Sequence, residues 1–267
     1  QVSELEHQLE TVSQSRSQLQ ADLDNAKSAP KSEQIQALTS EPELSIKKDF
    51  IVSQQGKGDY TTISEALKKA TSNSHIYVYP GLYQESLILD KSVEIIGKTA
   101  TGSIVIESAN ATCIQMQTDS ALVRGLTLSA TGKNYAVDIR EGELVIEDCD
   151  ITSADYSVVG ICGNNASSVI RCCQIHDGIW NGIFISDYAR ATVEDSDIFD
   201  NGTFGIGVGL GGKLVIRQCR ISGNGAEAIA VYRDGIAKVK DCDLTGNSGG
   251  TLRLVDNGYV ENKSDPQ

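Results

Sequence analysis

Basic residues are in short supply. The chain sets 23 lysines and arginines against 36 aspartates and glutamates, for a formal net charge of −13. That deficit excludes an electrostatic grip on nucleic acid or on an anionic membrane, since both are held by excess positive charge. An acidic polymer would be repelled too, save through calcium or a local basic patch. Long apolar runs are missing as well: none approaches the roughly 18 residues of a membrane helix, so no membrane span is expected. The seven cysteines lack the short-spaced pairing of a disulfide framework and are odd in number. They read as free thiols, which points to a reducing, cytoplasmic setting, with an extracytoplasmic one left open should targeting residues precede Gln1. A chain starting at Gln1 without methionine reads as an excised or processed piece.

What is present falls into a stalk, a linker and a repeat. From Val2 to Ala26 the apolar residues keep a seven-residue grid, with Val2, Leu9 and Leu23 at one position and Leu5, Val12, Leu19 and Ala26 at the other. Only Arg16 breaks it. The pattern predicts a coiled-coil stalk over residues 1–26 and a homo-oligomer held by residues 2–26. Residues 27–48, with Pro30 and Pro42 among serines, lysines and glutamates, read as a linker. Residues 49–255 form the main domain, and 256–267 a polar tail.

The domain repeats with a period near 23. Ile151, Ile175, Ile198, Ile221 and Leu244 anchor it. Ile146, Ile170, Val193, Ile216 and Val239 stand five residues earlier; Cys149, Cys173, Ser196, Cys219 and Cys242 stand two earlier. Pairs such as Val159/Ile161, Ile183/Ile185 and Leu252/Leu254 follow eight and ten later. Short β-branched pairs parted by turns, with no room for a helix, predict an all-β parallel β-helix whose coils stack at about 4.8 Å and bury each column as one core.

Within that register the stretch "IEDCDI" (Ile146–Ile151) loses its look of a metal or catalytic cluster. Cys149 shares the inward face, and Cys149, Cys173, Cys219 and Cys242 are expected as unbonded thiols. The rows Glu147, Arg171, Glu194, Arg217, Lys240 and Asp150, Gln174, Asp197, Arg220, Asp243 point outward with largely alternating sign. Asn201, Asn224 and Asn247 form an amide ladder at a bend, which argues against glycosylation at Asn201. "GLGGK" (Gly209–Lys213) lacks the aspartate of the calcium-binding nonapeptide and reads as a turn. No metal or cofactor is expected.

The entrance "VSQQGKGDYTTISEALKKATSNSHIYVYPGLYQESLILDKSVEIIGK" resembles the opening of pectin methylesterases and other members of the pectin-lyase-like superfamily. Thr62 and Glu65 form a capping box, and Ile63, Ala66, Leu67 and Ala70 an apolar helix face. The resemblance implies a right-handed, single-stranded β-helix with a short N-terminal helix capping its first coil. The esterases' later blocks, with two catalytic aspartates, glutamines and an arginine, have no recognisable equivalents downstream, so no catalytic residue is assigned.

Exposed aromatics are the candidate binding residues: Tyr156, Trp180 and Phe204, with His176 beside them, offer faces for a sugar or a protein partner. The expectation is a non-catalytic module that binds a polysaccharide or protein, displayed on an oligomerising stalk. The alternative is a polysaccharide lyase, epimerase or esterase, for which alone calcium would enter.

Overall fold

The computed structural model describes residues 48–262 apart from 100 and 154. The stalk and most of the linker lie outside the described residues. Three parallel sheets of ten, eight and seven strands wrap one core, and each strand pairs with its counterpart one coil on. The result is a right-handed parallel β-solenoid, the hand that parallel crossovers take. Register follows the sequence columns: Ile151 pairs with Leu128 and Ile175, and Ile146 with Val123 and Ile170.

Burial selects this arrangement. Ile151, Ile175, Ile198 and Ile221 have no exposed surface, nor have Ile161, Ile185, Val208 and Val231. At about 25 cal/mol per Å² of apolar surface removed from water, each such side chain contributes about 2 kcal/mol, and a continuous column leaves no break at which to unzip. Leu254, expected inside, is 52% exposed. The strand Gly250–Leu254 ends its sheet, so no further coil covers it. The last strand, Tyr259–Asn262, pairs with Ile236–Lys240 within the segment read from sequence as a tail.

Near the entrance a helix, Ile63–Lys69, buries Ile63, Ala66 and Leu67. Thr62 Oγ1 accepts from Glu65 N at 3.3 Å. Glu65 does not complete the box. The carboxylate of Glu85 instead accepts from Ile63 N and Ser64 N at 2.9 and 2.8 Å, placing negative charge at the helix start.

The corner rows behave as stacked devices. Asn224 Oδ1 accepts from Asn201 N and Nδ2, both at 3.0 Å, and Asn247 Oδ1 does the same for Asn224. Glu147 pairs with Arg171 at 2.7 Å, and Glu194 with Arg217. Asp148, Cys172, Asp195, Gln218 and Asp241 all take φ between 48° and 54°. This left-handed corner suits aspartate, whose short polar side chain tolerates it, and accounts for Asp148 without any ligand. All seven cysteines are unbonded. No helix among the described residues is long and apolar enough to cross a membrane.

Candidate active site

The outer face of the eight-stranded sheet is hollowed by small residues. Its outward row, in strict register, is Gln115, Asp138, Gly160, Phe184, Gly207, Ala230 and Arg253. Two glycines and an alanine make a low floor around Phe184. One wall comes from the turns preceding the strands and bears Tyr135, Tyr156, Trp180 and Phe204. Backbone bonds tie these turns coil to coil, from Ala226 N to Thr203 O and from Thr203 N to Trp180 O, both at 2.8 Å.

Two adjoining hollows, of about 460 and 580 Å³, share Phe184, Phe204 and Tyr232 and form one groove along the coils. Tyr135 and Tyr156 meet edge to face at 4.8 Å. Asn181 is held on both sides, its N donating to Ser157 Oγ at 3.1 Å and its Oδ1 accepting from Thr203 Oγ1 at 2.7 Å. At the far end stand Asp187, Arg233, Arg253 and Asp256.

Beside the Tyr135 end lies the most concentrated chemistry. Asp138 and Arg140 share one outward face, and Arg140 Nε donates to Asp138 Oδ1 at 2.8 Å. The Asp138 side chain is only 14% exposed, whereas that of Arg140 is 54% exposed. Burial raises the Asp138 carboxyl above its ordinary value, although Arg140 opposes the shift. Cys162 faces the same cluster. Burial, with Asp187 and Asp138 adding and Arg140 opposing, pushes its thiol up to about 11. Burial also raises the Tyr135 phenol, so the thiol and this phenol are both protonated at neutral pH. Gln115 stands directly beside Asp138 in the sheet register.

Three of the four aromatic-site candidates, Tyr156, Trp180 and Phe204, are thus brought together. His176 is not. It lies on the outer face of the seven-stranded sheet, with Nε2 to Asp150 Oδ1 and Nδ1 to Asp177 Oδ2 both 2.8 Å, and stacks on Phe199 at 4.7 Å. A position one residue after its anchor lies on the seven-stranded sheet, whereas positions five or six after it lie in the turns that lead into the eight-stranded sheet. Sequence reasoning missed Gln115, Tyr135, Asp138, Arg140, Phe184 and Tyr232. The signal was the small-residue column nine after the anchors, Gly160, Gly207 and Ala230, between two buried columns.

Fold and groove define a parallel β-solenoid with a lateral aromatic cleft ending in a half-buried carboxylate–guanidinium pair. A family model described as "Right handed beta helix region" matches residues 112–264, more than half of the chain, and the chain belongs to that family. Pectinesterase 3 of Solanum lycopersicum is 26% identical over 129 residues, 46% of this chain and 22% of that protein; the match thus spans about a fifth of that relative's length. Among solved structures, the pectin methylesterase from carrot superposes with a TM-score of 0.62 at 17% identity, covering 82% of this chain and 89% of that one. Pectin methylesterase PemA from Erwinia chrysanthemi gives 0.54 at 14% identity, covering 76% and 80%. These superpositions show the shared fold.

The comparisons correct the expectation of a non-catalytic binding or scaffold module. The sequence relative and the superposed structures bear the names of esterases, and a half-buried carboxylate stands beside the groove. The enzyme alternative fits better. The cytoplasmic placement inferred from the thiols finds no support in these relatives.

Proposed function

We propose that the chain hydrolyses methyl esters on a pectin-type polysaccharide lying along the groove. The observation that carries this reading is the Asp138–Arg140 pair at the end of the aromatic wall. Tyr156, Trp180 and Phe204 stack on sugar faces and hold the polymer. Asp138, ionised, takes a proton from a water molecule as that water attacks the ester carbonyl. The Arg140 N–H groups not bonded to Asp138, together with the Gln115 amide, donate to the oxyanion. Collapse of the tetrahedral intermediate expels methoxide, which leaves as methanol with the proton held by Asp138. The polymer keeps the new carboxyl group, which releases its proton to solvent and remains as a carboxylate.

The charge of the chain supports an ester as substrate. A methylated polymer is neutral and meets no repulsion from a protein of net charge −13; the carboxylate product does, and is driven out. No cofactor is part of this proposal. Assembly of two or more copies through residues 2–26, and protection of the first sheet edge by the helix Ile63–Lys69, are further parts of the same proposal. Light scattering on the full chain and on a chain lacking residues 1–45 tests the assembly.

Methanol release from highly methyl-esterified pectin tests the activity. The wild-type chain is expected to release methanol, and Asp138→Asn to lose about 100-fold or more. No release above a blank, or full activity in Asp138→Asn, would overturn the reading.

A further inference from the structure

The inward cysteine column splits into two pairs, because Ser196 interrupts it. Cys149 and Cys173 form the first, Cys219 and Cys242 the second. Parallel neighbours in register stand about 4.8 Å apart at Cα, inside the disulfide range of about 4.4–6.8 Å. The bridge between Arg220 and Asp243 sets Cys219 and Cys242, each one residue earlier, in that register. Each also donates to the carbonyl two residues before it, Cys219 to Arg217 O at 3.2 Å and Cys242 to Lys240 O at 3.1 Å.

Access separates the pairs. Cys149 and Cys173 are each 2% exposed, beyond the reach of any reagent. Cys242 is part-exposed, on the coil whose remaining strand in that sheet is reduced to a single bridge. Its sulfur is therefore within reach of a small disulfide in solution.

We propose that Cys219 and Cys242 form a reversible disulfide that staples the last two coils. The Cys242 thiolate attacks a low-molecular-weight disulfide, forming one S–S bond and expelling one thiolate, which takes up a proton. Cys219 then loses its proton and attacks the Cys242 sulfur, expelling the second small thiol. Two protein thiols are oxidised and one small disulfide is reduced to two thiols. Geometry sets the pair, and titration agrees with the order: the neighbouring Cys219 thiol lowers the Cys242 thiol to about 7 against an opposing burial, so a thiolate is present at neutral pH. Cys113, by contrast, is pushed up by burial to about 12. The staple acts on the end of the solenoid that bears Arg253, Val255 and Asp256, the far end of the groove.

The test uses the full chain with Cys172→Ser, which removes the one fully exposed thiol, treated with oxidised glutathione. Non-reducing peptide mapping is expected to join the Cys219 and Cys242 peptides, and amide exchange over residues 250–262 is expected to slow. Adding Cys219→Ser, the residue already present in this column at Ser196, should trap one glutathionyl group on Cys242. Adding Cys242→Ser instead should leave Cys219 unmodified. A trapped adduct without any cross-link in the parent would overturn the geometry, an unreacted Cys242 the chemistry, and a cross-link with unchanged exchange the staple.

Discussion

The ring of Tyr135 lies so close over Gly160 that a β-carbon at that glycine would come within 2.6 Å of it. Tyr135 in turn meets Tyr156 edge to face, so the glycine sets the height of this end of the aromatic wall. Gly160→Ala should push the phenol outward and disturb both rings. The expected result is a several-fold rise in KM for the polymer with unchanged far-ultraviolet circular dichroism, and a stability loss within about 1–3 kcal/mol by calorimetry.

The titration of Asp138 sets the acid limb of the activity. Its carboxyl is raised by burial above the ordinary 3.8 and partly restrained by Arg140. A base works only when ionised, so the rate should fall on acidification at a pH above that ordinary value. Arg140→Gln removes the restraining cation, which disfavours the carboxylate; the acid limb should move further up in pH as the maximal rate falls. An acid limb that stays in place would assign the titration to another group.

Asn224 joins three coils. Its Oδ1 accepts from Asn201 N and Nδ2, and its Nδ2 donates to Ile198 O, Ser222 O and Asn247 Oδ1. Asn224→Ala leaves the buried Asn201 N without a partner and should cost about 2–4 kcal/mol, read from denaturant midpoints. Asp241→Asn, on an exposed side chain at the outer corner, should change stability by no more than about 0.5 kcal/mol.

His176 makes stability depend on pH. Burial alone would lower its pKa, but the hydrogen bonds to Asp177 and Asp150 outweigh it and raise the imidazole above 6.5. The folded state therefore binds the proton more tightly than the unfolded state. Its contribution is fully present below the unfolded pKa and is lost as pH rises through the folded one. The Tm difference between wild type and His176→Gln should be greatest near about pH 5 and shrink towards about pH 9. A difference independent of pH would mean that the ring acts only through its stack on Phe199.

The coil itself was legible in the chain, because every turn of a solenoid buries the same face and so must repeat the same apolar positions. Ile151, Ile175, Ile198 and Ile221 declare that face, and the asparagines declare a corner whose backbone groups need partners. The groove was not legible in the same way. Asp138 and Gly160 are neighbours in the sheet yet stand 22 residues apart, not 23, so the pair slips out of the column count. Outward residues are under no shared demand to be apolar, and alternation alone cannot distinguish a convex face from a hollow one. Tertiary structure decided that Gly160, Gly207 and Ala230 sink one face, that the turns carrying Tyr135, Tyr156, Trp180 and Phe204 rise beside it, and that His176 belongs to another. It also decided which carboxylate is costly to ionise. The repeat holds Asp243 at an exposed position and Asp150 and Asp197 at half-exposed ones beside His176 and Arg220, while the Asp138 side chain is more enclosed than these, and desolvation depends on that enclosure rather than on the residue type.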